Sequence, residues 1–450
     1  MISLPRSTPE AQGVDSAGIA AFLAACASSG LELHSLMLVR HGFVIAESWW
    51  HPYSSDKRHM LFSLSKSFTA TAIGLAVAEG RLSLGDKVAS FFPEKAPAHV
   101  SENLAAMCVH DLLTMSTGHA VEPMSGLRAE TNDWVASFLT ADVPHAPGTH
   151  FLYNSLATYM LSAILQKLTG ERLLDYLTPR LFVPLGIENP TWEQCPLGID
   201  TGGWGLSVRT EDIAKFGQLY LSDGLWNGVR LLPEGWVESA TKKHIANGDD
   251  PHSDWAQGYG FQFWRCRHGA YRGDGAFGQF CIVFPEQGAV LAITSGLKDM
   301  QGVLNHVWAS LLPTFGGQRE LQKPVGAGRI FSATYSFPEN DQGLSQLQIH
   351  SDEERLTLSV DEHTLIGGFG VWLPGETSFR QWHGKPHKTA GAATWDQAQN
   401  TLILRLCSIE TPFIAEAICE FEGECVTLRY SLNASFGPTE FAPLVGQKLA

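Results

Sequence analysis

Ser63 and Lys66 stand three residues apart in the run LFSLSKSFTATAIGLAVAEG, and the pair has the makings of an activated nucleophile. A serine hydroxyl attacks a carbonyl only when a neighbouring base takes its proton, and a lysine made less basic by burial is one of the few alternatives to histidine. On a helix, residues i and i+3 share a face, so the Lys66 amine can lie beside the Ser63 hydroxyl. By itself the pattern S-x-x-K is unspecific, for it recurs as Ser54/Lys57, Ser239/Lys242 and Ser295/Lys298. Context separates the four. Ser54 belongs to the polar stretch HPYSSDKRH and Ser295 ends the strand-like run AVLAITS. Only Ser63 opens a segment that is apolar or small on almost every side from Phe68 to Val77, with Gly80 placed as a C-terminal cap. The competing reading is a serine-rich helix start, where serine is simply a good cap.

Such a pair needs a group to shuttle protons and backbone donors to hold a developing oxyanion. Tyr153-Asn154-Ser155 follows Pro147-Gly148-Thr149 and precedes the helical pattern SLATYMLSAILQKLTG, so Tyr153 sits at a loop-to-helix junction. Gly273-Asp274-Gly275-Ala276-Phe277-Gly278-Gln279 precedes a strand-like run, and its glycines let a substrate approach the backbone. Taken singly, Tyr153 also reads as a core or cap aromatic and the glycine run as a turn. Rival chemistries fare worse. GDGAFG matches the dinucleotide fingerprint G-x-G-x-x-G in form, yet it leads into a strand-like run rather than a helix. There is no G-x-S-x-G elbow, and the 17 histidines include no H-E-x-x-H. No cofactor and no metal are expected.

Several elements must position these residues. SLMLVR and FVIAESWW read as a hairpin joined by His41-Gly42, and three further strands are expected at GYGFQFWRC, FGQFCIVFP and AVLAITS. Between the two groups the chain reads as mostly helical, with VHDLLTM, the pattern from Ser155 to Gly170, and TEDIAKFGQLYLSDG. The economical architecture is one antiparallel sheet built from both ends of residues 1–315, flanked by helices and carrying a helical insertion. Residues 316–329, GGQRELQKPVGAGR, read as a linker. Beyond it LSQLQIHS, RLTLSV, TLILRLCS and CVTLRYSL predict an all-β domain over 330–450, a small barrel or sandwich.

At 450 residues the chain has length for two domains. A net charge of −15 argues against nucleic acid or anionic membrane as partner. The eight cysteines show no metal-ligand spacing and read as buried thiols of a cytoplasmic protein. Leu23-Ala24-Ala25-Cys26 looks like a lipoprotein cleavage box, but Glu10 and Asp15 interrupt the basic flank that an export signal carries. Asp15-Ser16 instead starts a short helix to residue 27. No apolar run approaches the roughly 20 residues that span a bilayer.

Ser63-x-x-Lys66, Tyr153-x-Ser155 and the glycine run before a strand together resemble the serine β-lactamase and penicillin-binding-protein superfamily, in particular its class C-like and family VIII esterase branch. HDLLTMSTGH and GGWGLSVRTEDIAKFGQLYLSDGLWNG look similar too, and the likeness covers residues 5 to 312. It implies an α+β fold with a five-stranded antiparallel sheet. It also implies Ser63 as acylated nucleophile, Lys66 as its proton acceptor, Tyr153 as base or relay, and the N–H groups of Ser63 and Ala276 as oxyanion hole. Asn154, Ser155, Asp274 and Gly275 would contact substrate. Ser155 stands where relatives carry Asn, and Gly273 where they carry Lys or His. The basic group that meets a β-lactam carboxylate is therefore missing; Arg272 or His268 are candidates to replace it, and a lysine introduced at 273 is expected to restore it. The expected activity is hydrolysis of a small-molecule ester or amide through an acyl-enzyme, esters favoured. The alternatives are a β-lactamase, a D-amino-acid peptidase, a linear-amide hydrolase, or a non-catalytic binder or sensor. The C-terminal domain is expected to cover one side of the cleft or to support a homo-oligomer.

Overall fold

The computed structural model describes residues 3–123, 132–311, 319–320, 328–379 and 386–449. His41 and Gly42 take left-handed conformations, φ 51° and 82°, which suits the tight turn of the expected hairpin between β1 (Leu33–Arg40) and β2 (Phe43–His51). The sheet runs in the order β2-β1-β6-β5-β4-β3, with β3 Trp264–Arg265, β4 Tyr271–Gly275, β5 Gln279–Phe284 and β6 Ala289–Ser295. Five strands form the body as expected, all antiparallel. A two-residue strand lies at each edge, Arg319–Glu320 running parallel to β2. That pair falls inside the expected linker, most of which lies outside the described residues.

GYGFQFWRC departs from the expectation. Only Trp264–Arg265 pairs as strand, because Gly258 and Gln262 take φ of 113° and 62°, which breaks the extended run. The Gln262 side chain then donates to the carbonyls of Leu112 and Leu113 and accepts from Thr158, so this segment is a buried brace under the helices.

Helices cover both faces. On one lie α1 (Ser16–Ser28), capped by Asp15 as expected, and α5 (Met300–Ser310). On the other lie α2 (Ser65–Ala78), α3 (Ser155–Thr169) and α4 (Thr210–Leu221), which form the larger core. Every residue of α2 from Ser65 to Ala76 is buried, which accounts for its apolar or small character all round. All eight cysteines are unpaired, six of them buried. Among the described residues no helix is long and apolar enough to cross a membrane.

The C-terminal part is all β, as expected, and it is a barrel. Its strands are β7 Phe331–Ser336, β8 Gln346–Ser351, β9 Arg355–Val360, β10 His363–Phe369, β11 Leu373–Thr377, β12 His387–Asp396, β13 Thr401–Ser408, β14 Ile414–Glu422, β15 Cys425–Leu432 and β16 Leu444–Lys448. Pairing of β10 with β12 through Gly368/Ala392 and Phe369/Ala393 closes the sheet on itself. Buried and open residues alternate along β8 and β9, as one packed face requires.

The barrel docks beside the start of α2. Met60 N–H donates to Glu410 O at 3.0 Å, Arg405 pairs with Glu32 at 3.0 Å, and Asn433 Nδ2 donates to Gly296 O at 2.8 Å. Phe62 and Phe277 of the first domain share an apolar cluster with Ala434 and Phe413 of the barrel.

Candidate active site

Ser63 lies in a single 3-10 turn, Phe62–Leu64, that feeds directly into α2. Phe62 holds a left-handed φ of 48°, a strained conformation for a bulky residue at a sharp change of chain direction. Strand β4 ends against this turn. A Cβ on Gly275 would meet Leu61 O at 2.0 Å and Ser63 N at 3.1 Å, so only glycine lets the strand come close enough to bring Ala276 beside Ser63. Ser63 and Ala276 both line one large cleft.

Lys66 is buried beneath the nucleophile. Its Nζ lies 3.0 Å from Ser63 Oγ, 3.2 Å from Ser155 Oγ and 2.7 Å from Gly203 O. Three acceptors match the three hydrogens of an ammonium. A neutral amine can keep two of them and turn its lone pair on Ser63. Burial pushes the Lys66 amine down to about 7, against the opposing pull of the Glu122 and Asp274 carboxylates. Tyr153 caps the pair from the other side: its ring centroid is 4.9 Å from Lys66 Nζ, it stacks on Trp264 at 5.2 Å, and its hydroxyl reaches the Ser63 side chain. Burial, then the Asp274 carboxylate, hold its phenol far above the usual range, so it stays protonated.

Ser155, the first residue of α3, faces Lys66, and its N–H donates to Glu122 at 2.8 Å. Asn154, expected at the substrate, is placed elsewhere. It is fully buried, and its Oδ1 caps α3 by accepting from Ala157 N–H at 3.1 Å.

The basic residues proposed for an anion site do not line the cleft. Arg272 is fully buried, its Nε 2.9 Å from Asp274 and its guanidinium 4.5 Å from the centre of the Trp255 ring. Its charge is therefore matched inside the protein. Burial pushes the Asp274 carboxyl up and Arg272 pulls it down. His268 sits in a turn against Trp308 at 5.3 Å. A Cβ on Gly273 would meet Leu64 Cδ1 and Ser67 Oγ, each at 2.5 Å. The expectation that lysine at 273 would restore a carboxylate contact is thereby corrected: that side chain would drive into α2.

The cleft holds about 1010 Å³. Its walls include Trp134, Trp204, Trp255 and Trp264, and its ionisable lining includes Glu122, Glu193 and Asp274 but, among the described residues, no lysine or arginine. The tryptophans, Glu122 and the Gly203 carbonyl escaped the sequence reading, although GGWG, residues 202–205, carries two of them. Phe436 of the barrel also lines the cleft, so the C-terminal domain covers part of it.

An α+β sheet with a buried S-x-x-K helix against a glycine-ended strand defines the class of the β-lactamase-like hydrolases and penicillin-binding proteins. The chain belongs to the Beta-lactamase family, whose sequence profile matches residues 20–305. It is 26% identical to the 6-aminohexanoate-dimer hydrolase of Paenarthrobacter ureafaciens over 290 residues, 59% of this chain and 73% of that protein. Its fold is similar to that of a family VIII carboxylesterase, with TM-score 0.52 and 17% identity, covering 66% of this chain and 96% of that one. The likeness to the octameric penicillin-binding protein homologue from Pyrococcus abyssi covers 96% of this chain and 99% of that chain, with TM-score 0.54 and 16% identity. That span takes in the barrel as well. The relatives support a hydrolase.

Proposed function

We propose that this chain is a cofactor-independent serine hydrolase that cleaves a neutral small-molecule ester, or less readily an amide, through a Ser63 acyl-enzyme. The observation that carries the reading is the buried Lys66 amine, 3.0 Å from Ser63 Oγ and brought down to about 7. Lys66 takes the Ser63 proton as the hydroxyl attacks the carbonyl. The N–H groups of Ser63 and Ala276 hold the oxyanion. Tyr153, a phenol throughout the working range, relays the proton from Lys66 to the departing alkoxide. Water, losing its proton to the same pair, then releases the acid and restores Ser63. Because Tyr153 is held neutral, Lys66 is the first base.

The substrate class follows from the lining. The charged lining is acidic and, among the described residues, includes no lysine or arginine, which disfavours an anion, and the tryptophan walls favour an apolar group. A second reading, an amide bearing an ammonium group, draws on the same carboxylates. The test is intact-mass analysis after exposure to a fluorophosphonate, a penicillin and an activated ester. A single adduct lost in Ser63→Ala supports the reading, and an adduct that survives the substitution overturns it.

A further inference from the structure

We propose that the hollow end of the C-terminal barrel is the far part of the substrate site, a subsite for an unbranched apolar chain. The proposal rests on the serine hydrolase reading above and adds to it the length and character of the substrate. Small barrels fill their interiors with side chains. This one does so around Leu347, Leu358, Leu402 and Leu404, but a cavity of about 240 Å³ remains where the barrel meets the first domain. Its walls include Leu406, Ala415, Leu432 and Phe413, with the hydrogen-bonded pair His387 and Ser408, 2.7 Å apart, as a polar patch. Unfilled apolar space forfeits packing energy, so a hollow of this size at an interface suits an occupant.

Its position says what the occupant is attached to. Met60, Phe62 and Phe436 line both this cavity and the active-site cleft, so one wall separates the two spaces. That wall begins at the residue preceding Ser63. Phe436 closes it from the barrel side, with its ring 5.8 Å from Phe62 and 4.7 Å from Phe277, and it remains 58% exposed. A chain leaving the Ser63 carbonyl past Phe62 enters the barrel. At roughly 30 Å³ per water-sized unit, the hollow takes about eight chain atoms. Whether that chain belongs to the acyl or the alcohol half is read by the substrates used.

The experiment measures kcat/KM for p-nitrophenyl acetate, butyrate, octanoate and dodecanoate, and for ethyl, butyl and octyl acetates. In the wild type an octyl-length chain in one series is expected to exceed the two-carbon member at least tenfold. Ala415→Phe, which fills the hollow, lowers that ratio tenfold or more, and Leu432→Ala, its cross-strand neighbour, moves the preferred length upward. Unmoved ratios in both variants overturn the proposal, and Leu432→Ala decides alone should Ala415→Phe fail to fold. Fluorescence titration of the Ser63→Ala protein with N-phenyl-1-naphthylamine separates the two claims. Probe binding that Ala415→Phe abolishes, with no ester turned over by the wild type, sinks the hydrolase reading and leaves the subsite. Ser63-dependent turnover with length preference indifferent to residue 415 does the reverse.

Discussion

The rings of Phe62 and Phe277 meet edge to face, 5.2 Å between centroids. Phe62 immediately precedes Ser63 and Phe277 immediately follows Ala276, so the contact clasps the two chain segments whose N–H groups are assigned to the oxyanion. Both residues hold left-handed backbone, φ 48° and 66°, a strained state that persists only when surroundings enforce it. The barrel supplies that enforcement: Phe413 and Phe436 pack on Phe277 at 5.3 and 4.7 Å.

Phe277→Ala is therefore expected to reduce kcat at least tenfold on p-nitrophenyl acetate with little change in KM, since a misplaced oxyanion donor costs the transition state most. Removal of the buried ring should also destabilise the fold by about 3 kcal/mol. Phe277→Leu, which refills much of the space, should recover part of the stability and of kcat. Equal kcat in wild type and Phe277→Ala, with a proportionate rise in KM, would place the residue in substrate binding instead.

The basicity of Lys66 sets the second expectation. If its neutral amine is the first base, kcat/KM rises about tenfold per pH unit on the acid side and levels off above about 7. Glu122 stabilises the ammonium, so Glu122→Gln should move that limb to lower pH. A limb that stays in place, or moves upward, would remove Lys66 from the role.

Much of this site was legible because it is local. Ser63 and Lys66 lie one helical turn apart, Tyr153 and Ser155 flank a helix start, and glycine at 275 announces a close backbone approach. Asn154 was misplaced because a side chain at a helix start has two uses, and capping Ala157 won. The four tryptophans and Phe436 reach the cleft, and the Gly203 carbonyl reaches Lys66, from distant points of the chain, and no period or spacing encodes that meeting. GYGFQFWRC failed as a strand for a similar reason: its backbone breaks at Gln262 to serve carbonyls roughly 150 positions earlier.

Acid should loosen the seam between sheet and barrel. His34 Nδ1 and His59 Nε2 lie 3.0 Å apart, both rings are buried, and Tyr53 stacks on His34 at 4.0 Å. Burial pushes both imidazoles down, His59 to about 3, although Glu32, itself paired with Arg405, pulls His34 up. The unfolded chain takes up these protons near pH 6.5 and the folded chain at lower pH, His59 only near about 3. Their contribution is thus intact above about 6.5 and lost progressively as pH falls toward 3, on the order of a few kcal/mol. Calorimetry at pH 7 and 4.5 should show a Tm drop that His59→Gln diminishes. An undiminished drop would assign the acid sensitivity elsewhere.

Finally, the protein should be a poor β-lactamase and a better esterase. Penicillins and cephalosporins carry a carboxylate whose recognition in relatives uses a basic residue at the position of Gly273. Here the Arg272 charge is matched by Asp274 within the protein, and the cleft wall presents Glu122 and Glu193 to any anion. The missing charge-assisted contact alone is worth roughly 1.5 to 3 kcal/mol. Neutral esters need no such contact, and a phenolate departs more easily than an amine. On one preparation, kcat/KM for p-nitrophenyl butyrate should exceed that for nitrocefin at least tenfold, and the reverse order would refute the argument. Gly273→Lys is no remedy, because its first side-chain atom already collides with Leu64 and Ser67. It should lower Tm and leave nitrocefin turnover unimproved.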